Sequence, residues 1–506
     1  MTLAQTQSVA LLGLDGHVVG VEVDIADGLP GYALLGLPDA ALSESKERVR
    51  SAIVNCGEVW PNRKVTVSLS PAWLPKSGSS FDLAICISLL SAHETVPADK
   101  IAHLVFLGEL SLDGRIRSVR GVLPALIAAF KAGVTTAVVP ADNLMEAQLM
   151  QDMEIIPMHH LKQVLRWLRT GEREQEQEFD LQWQHSDSRL DFADVAGQPA
   201  ARLAAEIAAV GGHHIMLIGP PGAGKTMIAE RIPTIMPALS IAQALEVTAV
   251  HSIAGTLMQR SPLSLLAPIV SPHHTTTRVA MVGGGSHAIK PGACSLAHHG
   301  VLFIDEAPEC GPGVLDSLRQ PLESGSITIA RSIGNVTFPA QFLLVLAANP
   351  CPCGKFIGRG RNCTCTSQQV RRYLGKLSGP LMDRIDLRVQ VEPVGRIDMA
   401  KTQLGESSSV IRERVIAARG VAAQRFKGMG WSLNSQIPAR ALRTEFQPER
   451  AAMNFLHDEL DRENITARGL HKIIRTAWSF ADLKGNTSPT MDDVVAAHTL
   501  RGKIEA

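Results

Sequence analysis

Gly219, Pro220, Pro221, Gly222, Ala223, Gly224, Lys225 and Thr226 follow the pattern G-x-x-x-x-G-K-[ST]. That spacing suits a triphosphate. Glycines let backbone N–H groups approach an anion closely, and a following helix start adds partial positive charge. Lys225 can reach the β- and γ-phosphates of ATP, and the Thr226 hydroxyl can ligate Mg²⁺. The apolar run Ile215–Ile218 before the loop, and Met227–Ile232 after it, supply the strand–turn–helix setting such a loop requires. Further on, the apolar run Val301–Ile304 ends in Asp305 and Glu306. Two carboxylates at a buried strand end suit two tasks: Asp305 for Mg²⁺, and Glu306 to orient or deprotonate an attacking water.

A second group of residues suits a metal. Cys351-Pro-Cys353 and Cys363-Thr-Cys365 are two close pairs across a short loop, which can supply four sulfurs to a tetrahedral Zn²⁺. A redox pair or inert buried thiols are the other readings of the same four residues. From Cys351 to Lys376 there are six basic residues and no acidic ones: Lys355, Arg359, Arg361, Arg371, Arg372 and Lys376. A zinc tetrathiolate carries about −2, so the segment would stay cationic. It is a candidate nucleic-acid contact.

The elements that must position these groups sort into several units. At 506 residues the chain has room for about three domains. Hydrophobic residues make up 45% and charged residues 19%, which is ordinary globular material. Lys+Arg and Asp+Glu both number 49, so overall charge gives no argument for nucleic acid. The first sixteen residues lack a basic lead and make a poor signal peptide. No run reaches the length of a membrane helix, so a soluble, cytoplasmic protein with no membrane partner is expected. Residues 17–25, 65–69, 104–112 and 136–139 alternate or run apolar as strands. Residues 40–55, 81–90 and 122–131 read as helices. This predicts an α+β domain over 1–168. Residues 169–189 form a polar, Glu/Gln-rich linker. An α/β nucleotide core over 190–395 precedes helices at 410–427, 448–461, 466–483 and 492–500, a lid over 396–506.

Several segments carry resemblances. Leu190 to Gln198 resembles the leading segment of AAA+ ATPases, which packs near the adenine. The strand Phe342–Ala348 ends in Asn349, which matches the sensor 1 position of that class. Arg384, in Leu381-Met-Asp-Arg384-Ile-Asp386, resembles the arginine finger of magnesium-chelatase and MCM-type motors. Such a finger acts on a neighbour's nucleotide, so the resemblance implies a ring, a homo-hexamer. Thr466-Ala-Arg468-Gly-Leu-His resembles the sensor 2 helix, with Arg468 as the phosphate-contacting residue. Arg475, two turns on, is a weaker candidate for that contact, a position more often held by an ordinary helix-surface residue.

Two inserts fall where this clade carries pore-facing hairpins. One holds Pro272-His273-His274-Thr275, Gly283-Gly284-Gly285 and Lys290. The other is a hairpin over 326–338 with Arg331 near its tip. Adjacent strand residues face opposite sides, so His273 and His274 alone are not expected to share a metal. Lys290, Arg331, Lys355, Arg359 and Arg361 are the candidate DNA contacts.

Residues 74–83 and 107–115 are similar to the proteolytic domain of Lon proteases, a ribosomal-S5-type fold. Lon uses a Ser–Lys dyad. Ser80 lies near the nucleophile position, but Leu123 stands where the lysine belongs, and Lys131 lies two turns on. The expectation is a shared fold without the peptidase, serving as a scaffold or a docking site for a protein partner.

Together these segments resemble the ComM/YifB family of magnesium-chelatase-related AAA+ proteins. The resemblance implies a hexameric ATP-driven motor on single-stranded or branched DNA, promoting branch migration in recombination and natural transformation. A chelatase-type ATPase that remodels a protein partner for metal insertion is the alternative. One departure stands out: Leu266-Ala-Pro-Ile-Val270 replaces an Arg-Pro-Phe-Arg type run, losing two arginines. Reversing the charge of Arg359 and Arg361 is expected to abolish DNA-stimulated hydrolysis and spare basal ATPase. Survival of both activities in a steady-state assay would count against the basic segment as a DNA contact.

Overall fold

The computed structural model describes residues 3–173, 190–257, 263–285, 289–311, 313–331, 334–356, 362–393, 395 and 405–502. Most of the expected linker, and both Arg359 and Arg361, lie outside the described residues.

The N-terminal part is a seven-stranded mixed sheet. Its order is Gly31–Leu35, Lys64–Ser70, Asp15–Ala26, Leu3–Leu12, Leu104–Phe106, Thr136–Pro140 and Glu154–Met158. Leu3–Leu12, a stretch whose sequence suggested no element, sits centrally and pairs along its length with Asp15–Ala26. The expected strand over 104–112 stops at Phe106. Gly108 takes φ +152°, and a Cβ there would lie 2.8 Å from Ile116, so the chain turns where only glycine fits. The expected helix over 40–55 is broken at Glu44. Arg48 closes the break: Nη2 donates to the Ala41 carbonyl at 3.0 Å and Nε to the buried Asp82 carboxylate at 2.6 Å.

The second sheet has five parallel strands in the order Ile269–Val270, Val301–Ile304, Leu343–Ala348, Ile215–Ile218 and Leu387–Gln390. Strands buried on both faces need near-continuous apolar runs, and Val301–Ile304 and Leu343–Ala348 are buried throughout. The register brings Ile218 beside Ala348 and Ile304 beside Leu346. The P-loop, Asp305-Glu306 and Asn349 therefore leave the same carboxyl edge, the usual ligand-binding edge of an open parallel sheet.

The last hundred residues are helical, at Ser408–Arg425, Arg450–Asp461, Ala467–Lys484 and Met491–Thr499. Their core is continuous with that of the parallel sheet. Arg414 joins them to the core through both oxygens of Glu206, at 2.8 and 3.0 Å. The N-terminal part also packs on the core, through the buried Glu146, whose Oε2 accepts from Ser252 Oγ at 2.6 Å and from the Leu123 amide at 3.3 Å. No described helix is long and apolar enough to cross a membrane.

Two buried histidines make the fold pH-sensitive. His213 Nε2 bonds Ser479 Oγ at 2.8 Å, and His298 Nδ1 accepts the Gln341 amide at 3.1 Å. Burial pushes both imidazoles down to about 4, against about 6.5 in the unfolded chain. Between those values the unfolded chain binds more protons, so stability is full above pH ~6.5 and declines as pH falls toward 4. The melting temperature should drop by several degrees from pH 7.5 to 5, and the drop should shrink in His213→Asn. A flat profile over that window, measured by differential scanning fluorimetry, would contradict it.

A candidate nucleotide site at the carboxyl edge of the parallel sheet

The loop after Ile218 must pass close to the chain beside it. A Cβ on Gly219 would sit 2.2 Å from the Val391 carbonyl. Lys225 then opens the helix Lys225–Ile235 and turns back over the loop. Its Nζ donates to the Gly219 carbonyl at 2.6 Å, the Pro220 carbonyl at 3.0 Å and Asn349 Oδ1 at 3.1 Å. Burial lowers the pKa of this amine, while the Asp305 and Glu306 carboxylates act in the opposite direction. Thr226 Oγ1 donates to Asp305 Oδ2 at 2.8 Å. These two oxygens form the hard donor pair that Mg²⁺ takes beside phosphates. Glu306 takes a left-handed backbone, φ +49°, and its amide donates to Asp305 Oδ1 at 2.8 Å.

The leading segment is fixed against the loop. Gln198 Nε2 donates to the Ala223 carbonyl at 3.2 Å, and Arg231 binds Asp194 at 2.8 Å and the Asp191 carbonyl at 2.7 Å.

His274 also reaches the site: its Nδ1 lies 3.1 Å from Glu306 Oε2. The expectation that His273 and His274 face opposite sides is corrected. They lie in a loop, outside any strand, and their rings stack with centroids 4.1 Å apart. The clue available in sequence was position, since the pair follows the strand that borders Val301–Ile304.

The cysteine segment lies on the P-loop itself. Gly354 has φ +73°, and a Cβ there would meet Pro221 Cδ at 2.5 Å. The sulfurs of Cys351, Cys353 and Cys363 stand 3.4 to 3.6 Å apart, and Cys365 completes a group of four within 4.8 Å. Sulfurs at about 2.3 Å from a tetrahedral Zn²⁺ would be about 3.8 Å apart, so the donor set fits. The Lys355 and Thr364 amides stabilise the Cys353 thiolate and pull its pKa down to about 5. A second cluster, Glu246 with His298 and His299, does not fit a metal. His298 Nδ1 accepts the Gln341 amide, so its proton sits on Nε2 and is donated to Glu246 at 3.1 Å, leaving no lone pair for an ion.

Arg384 lies apart from the P-loop group. Nη1 donates to the Pro380 carbonyl at 2.6 Å, and Nη2 pairs with Glu323. It lines a cavity of about 600 Å³ together with Arg468, Lys472 and Arg475. No residue of the P-loop, nor Asp305, Glu306 or Asn349, lines that cavity. Arg468 is half-exposed, 3.8 Å from Asp383. Arg475 is corrected from a surface residue: it is largely buried, and Nε and Nη2 both donate to the Ile437 carbonyl. Of the candidate DNA contacts, Lys290, Arg331 and Lys355 are exposed. Lys290 pairs with Gly284 in a short ladder, and Arg331 ends the first strand of the Ser326–Pro339 hairpin.

In the N-terminal part, Leu123 is buried and Lys131 is exposed at its helix end. Lys76 Nζ is engaged by the Leu69 and Pro71 carbonyls. Among the described residues no hydrogen bond joins Ser80 Oγ to a lysine.

The strand order and the Lys225, Asp305 and Asn349 constellation define a P-loop ATPase core of the AAA+ type. Residues 191–399 match the family "Magnesium chelatase, subunit ChlI", 21–143 match "Subunit ChlI of Mg-chelatase", and 405–501 match "Magnesium chelatase, subunit ChlI C-terminal". An uncharacterised protein of Mycobacterium tuberculosis is 49% identical over 503 residues, 99% of each chain. The YifB protein of Escherichia coli is 38% identical over 484 residues, and the competence protein ComM of Haemophilus influenzae 36% over 491, each covering 96% of this chain and 94% of its own. A Lon protease of Brevibacillus choshinensis is 26% identical over 163 residues, 30% of this chain and 21% of its own. The chain belongs to the ComM/YifB family of magnesium-chelatase-related AAA+ proteins.

The contact of Gly354 with Pro221 makes a specific demand. Gly354→Ala adds about 1 kcal/mol of left-handed strain and pushes the cysteine segment against the P-loop. ATP affinity should fall roughly tenfold, about 1.4 kcal/mol, with the circular dichroism spectrum unchanged. Unaltered binding of a fluorescent ATP analogue would show that the contact does not shape the loop.

Proposed function

We propose that this protein is an ATP-hydrolysing ring motor of six copies that acts on single-stranded or branched DNA and promotes branch migration in recombination and natural transformation. The observation that carries the ring is the separation of charges. Arg384 and Arg468 share one cavity, and the subunit's own P-loop lies outside it. An active site needs both halves, so the cavity suits the triphosphate bound by a neighbouring copy.

In this reading Lys225 exchanges its Asn349 and carbonyl partners for the β- and γ-phosphate oxygens. Asn349 then turns to the γ-phosphate or the water. Glu306 accepts the water proton as the oxygen attacks phosphorus, and the bond to the β-phosphate oxygen breaks, giving ADP and phosphate. Arg384 and Arg468 stabilise the charge that develops. Mg²⁺, held by Thr226 and Asp305, would supply charge neutralisation across the β- and γ-phosphates. The four cysteines would hold a structural Zn²⁺ that stiffens the basic segment on the P-loop. DNA is supported by the competence protein among the relatives and by the exposed cations Lys290, Arg331 and Lys355. The N-terminal domain serves as a scaffold that docks a protein partner.

The match to the magnesium chelatase family favours a second reading, an ATPase remodelling a protein for metal insertion. A peptidase is disfavoured by Leu123.

Lys225→Ala and Arg384→Ala should each lose nearly all ATPase activity alone. Mixed, they should regain part of it, because some interfaces join an intact P-loop to an intact arginine. No recovery would sink the shared site. Single-stranded or branched DNA should stimulate the wild-type rate. Absence of both stimulation and low-salt binding would remove DNA as the substrate.

A further inference from the structure

Lys472 follows Arg468 by four residues on the helix Ala467–Lys484, so the two side chains share a face. Both line the cavity that holds Arg384. The Lys472 side chain is only 14% exposed, and an ammonium so placed needs fixed oxygen partners. Nζ donates to the Arg384 carbonyl at 3.0 Å and forms an ion pair with Asp386 Oδ1 at 2.8 Å. The helix that carries one cavity arginine therefore grips the backbone of the other.

The lid holds that turn at further points. Arg501 Nη1 donates to the Ile385 carbonyl at 2.5 Å and to the Asp386 carbonyl at 3.2 Å. The carbonyls of residues 384, 385 and 386 thus accept in succession from two lid cations. The buried Asp386 fastens the same turn to the sheet: its Oδ2 accepts the amide of His214, just before the P-loop strand, at 2.9 Å. The Arg384 guanidinium is held differently. Nη1 rests on the Pro380 carbonyl and Nη2 on Glu323, outside the lid. Side-chain rotation can exchange Glu323 for a phosphate oxygen while the Arg384 backbone stays where it is.

We propose that Lys472 is a positioning residue for Arg384. It locks the root of that arginine to the helix bearing Arg468, so that both guanidiniums meet a neighbour's triphosphate as one rigid unit. Lys472 itself touches neither nucleotide nor water. The role rests on the shared site proposed above.

The test is subunit mixing with the full chain. Lys472→Met keeps the length of the side chain and removes the donor. It also leaves the buried Asp386 without its cation, so Lys472→Met/Asp386→Asn is made beside it; the asparagine keeps an acceptor for the His214 amide. Each should lower kcat roughly tenfold or more, since misplacing a reacting group by ~1 Å costs up to about a hundredfold, with binding of a fluorescent ATP analogue retained. Mixed with Lys225→Ala, each should regain activity, because that copy brings an intact Arg384. Mixed with Arg384→Ala, neither should. A wild-type kcat in the double variant overturns the role. Rescue by Arg384→Ala overturns it too, since the defect would then lie in the P-loop half of the site. The pair of Lys225→Ala with Arg384→Ala is the reference. If it recovers and the double variant with Lys225→Ala does not, the role of Lys472 alone fails. If the reference pair does not recover, the shared site fails and the role fails with it.

Discussion

The nucleotide site depends on one buried amine that must always have oxygen partners. Lys225 cannot reach bulk water easily from the helix start, and its ammonium takes two loop carbonyls and the Asn349 amide oxygen instead. The strand order makes this arrangement available. Leu343–Ala348 lies between the P-loop strand and the Val301–Ile304 strand, so Asn349 emerges beside the lysine and Asp305 emerges one strand further on. A different order would part the amine from Asn349. In the hydrolysis proposed above, a triphosphate would displace these partners, exchanging one set of oxygens for another without exposing a charge.

What the sequence made legible follows from how local each signal is. The P-loop, the Asp305-Glu306 strand end and the lid helices are written in contiguous runs with the right period, and their elements fall within a few residues of the expected spans. The strand Leu3–Leu12 was not, because it is read only through its pairing with Asp15–Ala26, a relation between strands that no single run displays. Arg475 looked like a surface residue because its partner, the Ile437 carbonyl, is a backbone atom. The contacts between Gly354 and Pro221 and between His274 and Glu306 bridge separate loops. Nothing in the spacing of either loop states that they meet, although the tight Cys-x-Cys pairs and the run after the strand at 269–270 marked both loops as unusual.

The two contacts reach the nucleotide site at different residues, Pro221 and Glu306. The cysteine segment presses on the P-loop where the phosphates would lie, and so bears on affinity. The histidine loop brings His274 Nδ1 within 3.1 Å of Glu306 Oε2. Each belongs to a segment carrying exposed positive charge. In the ring proposed above, the half-exposed Arg468 and the Glu323-paired Arg384 would be a third input, arriving from a neighbour.

The N-terminal part is tied to the ATPase core through a residue that the resemblance to Lon proteases makes informative. Where a dyad lysine would be needed stands Leu123, and its backbone amide is used by Glu146, which also takes the Ser252 hydroxyl of the ATPase core. Burial raises the pKa of that carboxyl, and its three hydrogen bonds lower it again. Such a group is costly to bury unless the donors stay in place. The junction therefore resists being pulled apart. The cleft of about 650 Å³ beside Ser80 is walled on its other side by Ile253, Lys290 and Asn335 of the core.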